Sequence, residues 1–113
     1  SYLHERHLEL AEKNLKISIN QNKDYYNSNH NLGVTLQLKE NFNEALDSFK
    51  KALELKPKNL VTMNHIAECY ERLKYFNDAK KYYNNVIIGK IYLVLTISLK
   101  QCISKKLCDT LFL

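Results

Sequence analysis

Shifted by 34 residues, the chain falls back onto itself. Leu32 lands on Ile66, Gly33 on Ala67, Leu36 on Tyr70, Phe42 on Phe76, Asn43 on Asn77, Glu44 on Asp78, Ala45 on Ala79 and Phe49 on Tyr83, with size and polarity kept at each step. The same offset taken backwards sets Tyr2, Leu8, Ala11, Leu15 and Ser18 against Leu36, Phe42, Ala45, Phe49 and Ala52, so a truncated first unit precedes a complete one. A period of this length marks chains assembled from stacked supersecondary units, none of which can bury both its apolar faces alone. Only two glycines and one proline are available for turns, against a 45 % hydrophobic content. That supply suits helices and starves a strand-rich fold.

The stretch from Asn29 to Pro57, NHNLGVTLQLKENFNEALDSFKKALELKP, carries Leu32, Gly33, Leu36, Ala45, Phe49, Ala52 and Pro57 at fixed spacing. In this it resembles the tetratricopeptide-repeat signature of L-G-x2-Y, then A-x3-F, then A and P. Asn29 stands in place of the usual aromatic and Leu36 in place of the tyrosine. A third unit repeats the pattern with Met63, Ile66, Ala67, Tyr70, Ala79, Tyr83 and Val86, but has Ile91 where the proline would stand. The resemblance covers residues 2 to 88 and implies an all-α fold: an α-solenoid of antiparallel helix pairs in a right-handed superhelix.

Helices are predicted over about 6–21, 25–39, 42–55, 59–73 and 76–88. The units are a partial one at 1–23, a complete one at 26–59, another at 60–89, and a non-repeat segment at 90–113. The small Gly33 and Ala45 let two helices cross closely enough for Leu36 and Phe49 to interdigitate. Pro57 closes the second helix of its pair, and Asn59 offers an N-cap to the next.

After Gly89 the register fails, since Lys100, Gln101 and Ser104 would fall on the places of Leu32, Gly33 and Leu36. Three readings of this tail stay open. In one, Leu95, Leu99, Cys102, Ile103 and Leu107 form the apolar side of a helix over 91–109 that seals the open end of the third unit. In another, Ile88, Gly89 and Tyr92 restart the repeat early. In the last, Gly89-Lys90 marks a splice donor and the tail is translated intron, which transcript sequencing across that junction would decide. The apolar run from Ile91 to Leu99 is nine residues, against the ~20 of a bilayer-crossing helix, so no membrane span is expected.

The resemblance also implies a binding surface, because the first helix of each pair lines a concave groove. The groove residues would be Asn27, His30, Asn31, Val34, Gln37 and Leu38 in the middle unit, and Val61, Asn64, His65, Glu68, Glu71 and Arg72 in the next. Asn31 matches an asparagine that holds the ligand backbone in relatives. The places of the basic clamp that grips chaperone C-terminal tails are held instead by His30, Val61, Asn64 and His65, and Glu68 with Glu71 would repel a carboxylate. Chaperone tails are therefore disfavoured.

No catalytic residues and no cofactor are expected, because neither a phosphate loop nor a nucleophile elbow is present. His4 and His7 share a helix face but lack a third ligand, so no metal is expected. The net charge of +5 rests on scattered lysines with only two arginines, which disfavours nucleic acid. Three widely spaced cysteines suggest a reducing, intracellular and cytoplasmic setting. The expected partner is another protein or peptide, with neighbouring repeats of a longer chain alongside. A helical-repeat RNA-binding module and a regulatory segment of a larger enzyme are the alternatives.

Overall fold

The computed structural model describes residues 2–22 and 25–111; the side chains of Tyr2 and of residues 108–111 lie outside the described set. Five helices follow one another: α1 (Tyr2–Gln21), α2 (Tyr26–Leu38), α3 (Phe42–Leu55), α4 (Leu60–Arg72) and α5 (Phe76–Leu111). Each packs against its sequence neighbour, α1 on α2, α2 on α3, α3 on α4 and α4 on α5, with a slighter contact from α2 to α4. This nearest-neighbour pattern is that of a solenoid. The fold class is all-α, as the repeat implied, and the described residues contain no strand.

The 34-residue offset is reproduced by the backbone itself. α2 and α4 begin at Tyr26 and Leu60 and end at Leu38 and Arg72; α3 and α5 begin at Phe42 and Phe76. Both pairs turn through a left-handed residue, Glu40 at φ 65° and Lys74 at φ 67°. The turns carry the same hydrogen bonds: Asn41 N to Leu36 O and Tyr75 N to Tyr70 O, both 2.9 Å, so carbonyls orphaned at the helix end are satisfied. Neither left-handed residue is a glycine, a strain of order 1 kcal/mol that a sequence reader has no reason to place there.

The core runs along the middle unit and into α4. Phe49, Ala45, Ala52, Ile66, Ala67 and Cys69 are fully buried, and Leu36 is nearly so. A Cβ on Gly33 would stand 2.7 Å from the Phe49 ring, which is why the small residue is needed at that crossing. Burying Phe49 contributes about 1.5 to 3 kcal/mol. Leu15 and Ile19 of α1 pack against the same cluster, and Lys39 ties α1 to the end of α2 through Glu12 at 2.5 Å. Asn59 caps α4 as expected, its Oδ1 accepting from Thr62 N at 3.1 Å. Asn41 makes no such side-chain bond to α3.

Two helix boundaries differ from the sequence reading. α1 begins at Tyr2 rather than near residue 6. α5 does not stop at 88 but continues unbroken to Leu111, 36 residues in all. The helix expected over 91–109 thus exists as the continuation of α5, and it does not fold back to seal the third unit. α5 runs antiparallel to α4, and the position of Gly89 lies against Leu60, the first residue of α4. Beyond that point α4 has ended, and among the described residues no other helix packs on α5. The radius of gyration, 19.3 Å, and the extents of 68 × 34 × 27 Å reflect this projection; a compact chain of this length would have a radius of about 13 Å.

Candidate functional site

α2 and α4 lie side by side on one surface, and the last two turns of each, with Glu40 from the α2–α3 turn, Phe42 at the start of α3 and Tyr83 of α5, enclose a concavity of about 550 Å³. Seven of the predicted groove residues line it: Val34, Gln37, Leu38, His65, Glu68, Glu71 and Arg72. Its floor is apolar, from Val34, Leu38 and Phe42, and its rim carries three carboxylates against one guanidinium.

Those carboxylates are held in place. Glu68 accepts from Gln37 Nε2 and from Asn64 Nδ2, each at 3.1 Å. The His65 ring nitrogen Nδ1 lies 3.1 Å from Gln37 Oε1 and 3.5 Å from Glu68 Oε2. Glu71 accepts the Tyr83 hydroxyl at 2.9 Å. Burial, together with that carboxylate, pushes the Tyr83 phenol up to about 12, so it remains a donor at any physiological pH. Glu40 faces Arg72 at 3.6 Å, and the guanidinium lies 5.2 Å over the Phe42 ring.

The other five predicted groove residues do not line this concavity. Asn27 is exposed and bonds the Tyr25 hydroxyl at 3.0 Å. Asn31 and Val61 are exposed on α2 and α4, while Asn64 stands one turn back and serves Glu68. His30 belongs to an aromatic cluster instead. Its ring stands 5.3 Å from that of His65 and 5.4 Å from Phe49, and Phe49 stacks on His65 at 5.2 Å. His30 Nδ1 lies 3.1 Å from the hydroxyl of Thr62, itself fully buried. Burial, and secondarily the neighbouring His65, pushes the His30 imidazole below its ordinary value. It is a packed neutral ring at the α2–α4 junction.

Glu40, Phe42 and Tyr83 were not among the predicted groove residues. Tyr83 stands 34 residues after the fully buried Phe49, and the offset alone places it in a core. In the structure it is half-buried. Phe49 is covered by the first helix of the following pair, whereas among the described residues α5 packs only on α4, which leaves Tyr83 partly exposed. Glu40 could have been found only from the turn geometry that puts it on the groove rim.

Among the described residues no group of three or more His, Cys, Asp or Glu side chains is placed to hold a metal ion. Cys69 is wholly buried, and that burial, helped by nearby Glu68, pushes its thiol up to about 11.

Tetratricopeptide-repeat sequences match this chain twice, over residues 26–59 and 61–87. Among solved structures it is similar to MamA AMB-1, at 30 % identity over 75 % of this chain and 50 % of that one, with a TM-score of 0.69. It is also similar to MamA MSR-1, at 28 % identity over 80 % and 52 % with a TM-score of 0.73. A further MamA crystal structure, 19 % identical over 78 % and 52 % with a TM-score of 0.74, bears on the fold alone. The chain spans about half the length of these solved relatives. No curated protein matches it.

Proposed function

From the premise that this chain belongs to the tetratricopeptide-repeat family, whose matches cover more than half of it, we propose that the concavity between α2, α4 and α5 holds a segment of another protein bearing a basic side chain beside apolar ones. The chain is a helical-repeat interaction scaffold, and the concave face is where such scaffolds present a continuous surface. The observation that carries the finer reading is the ring of Glu40, Glu68 and Glu71 around the floor of Val34, Leu38 and Phe42. Apolar contact supplies affinity there, and the carboxylates choose the sign of the partner's charge.

The same ring argues against acidic ligands. A phosphate backbone or a terminal carboxylate would meet three negative groups and a single guanidinium, although the chain as a whole is positive. The groove therefore favours a protein partner over RNA, and a basic segment over a chaperone tail. Tyr83 donates to Glu71, and Gln37 and Asn64 donate to Glu68, so these acceptors are oriented before a partner arrives.

The test is capture of partners by the wild-type chain and by a Glu68→Lys, Glu71→Lys double variant, with Lys51→Glu, exposed on α3 and outside the concavity, as control. Charge reversal in the groove is expected to weaken the major partner by at least about tenfold, as rim charges acting together do, and the control to leave it unchanged. A partner set retained in full by the groove variant would refute the site.

A further inference from the structure

We infer that the distal part of α5, residues 87–107, inserts into a lipid bilayer and anchors the solenoid to it. Phe76–Leu107 is long and apolar enough to cross a membrane by length and composition, and its apolar stretch is only 6 % buried within the protein. The sequence reading expected no span because the apolar run from Ile91 to Leu99, which lies between Lys90 and Lys100, is nine residues long. An unbroken helix through both lysines changes that count. From 87 to 107 it rises about 31 Å, against a hydrocarbon thickness of about 30 Å. The two lysines sit about 15 Å apart along the axis, and their stems can carry the ammonium groups toward opposite interfaces, about 25 to 30 Å apart. Lys105 and Lys106 lie in the last turn of the 87–107 stretch, at the far interface.

The distribution of apolar side chains selects lipid over a protein partner. Ile91, Tyr92, Leu93, Val94, Leu95 and Ile97 are each more than half exposed. At about 100° per residue, these and the neighbouring Ile87, Ile88, Leu99, Ile103 and Leu107 surround the helix with no polar gap wider than about 60°. A further repeat or a second copy of the chain would cover a stripe of about a third of the circumference and leave the rest in water. Lipid covers every side. The helices that pack within the solenoid look different: α3 carries Asn43, Glu44, Asp47, Lys50 and Lys51 on its exposed face.

The experiment is cell-free synthesis of the full chain with sealed phosphatidylcholine vesicles, followed by an alkaline carbonate wash and flotation. In a Cys108→Ser background, Cys102 is exposed on the inserted segment, while Cys69 is buried and unreactive. The chain should float, and Cys102 should react with a membrane-impermeant maleimide only after detergent is added. The Leu93→Asp, Ile97→Asp variant should lose flotation by at least about a hundredfold while Cys69 stays protected, since both positions lie beyond the end of α4. A chain that remains in the aqueous fraction or pellets without floating, with Cys102 open to the reagent, overturns the inference. Recovery of a soluble oligomer that the aspartates dissolve would assign the surface to a second copy instead.

Discussion

Gly33 and Gly89 sit at equivalent-looking crossings, yet what a methyl group would meet differs. At Gly33 it strikes the rigid, fully buried ring of Phe49 at 2.7 Å. At Gly89 it meets Leu60 Cδ2 at 2.6 Å, the free end of a flexible side chain that can rotate away. Gly33→Ala should therefore destabilise the protein by about 1 to 3 kcal/mol, because overpacking outweighs the helix propensity gained. Gly89→Ala should be neutral or stabilising by up to about 1 kcal/mol. Chemical denaturation of the two variants checks both, and equal losses would show that the crossing at Gly33 is not the tight one. The need for a small residue at 33 was legible in the sequence, from the repeat. The tolerance at 89 was not, since it depends on which neighbour happens to lie opposite.

At the scale of the element, α2 and α4 keep the same length and offset but not the same start. Tyr25 provides no side-chain cap to α2, whereas Asn59 accepts from Thr62 N and so satisfies an orphan donor of α4. Asn59→Ala is expected to cost about 1 kcal/mol, and Asn41→Ala, where no cap bond exists, markedly less. Thermal melts followed by circular dichroism would separate them; equal shifts would remove the capping account. The Asn59 cap and the stop at Pro57 could be read directly from residue chemistry. The overrun of α5 could not. The sequence lacks a breaker after Gly89, but whether a helix continues beside a neighbour or past it depends on where the antiparallel partner ends.

For the molecule as a whole, the α2–α4 junction should make stability depend on pH. His30 is held neutral by burial, with its folded value below the unfolded one of 6.5. Between those two values the unfolded chain binds more protons, so stability rises with pH through that window and falls on acidification. The contribution is complete above about pH 6.5 and is lost as pH drops toward the folded value. Glu12, whose value is lowered by Lys39 and then Lys16, acts in a separate range: its contribution is present above 4.5 and lost below it. The melting temperature should thus decline as pH falls below about 6.5, and His30→Gln should flatten that decline. An unchanged slope in the variant would place the effect elsewhere.

The sequence by itself determined that this is a helical solenoid and where the helix pairs of the middle and third units begin and turn. These follow from size and polarity recurring at fixed spacing, a local property that survives without knowledge of neighbours. Only the tertiary structure decided which groove residues share one concavity, because Glu40, Phe42 and Tyr83 join it through a left-handed turn and the packing of α5 on α4. It also placed His30, partly buried, in an aromatic cluster with Phe49 and His65. The 34-residue repeat describes what each unit brings to its neighbour; the exposure of Tyr83 and the projection of α5 past α4 depend on which helices pack beside them.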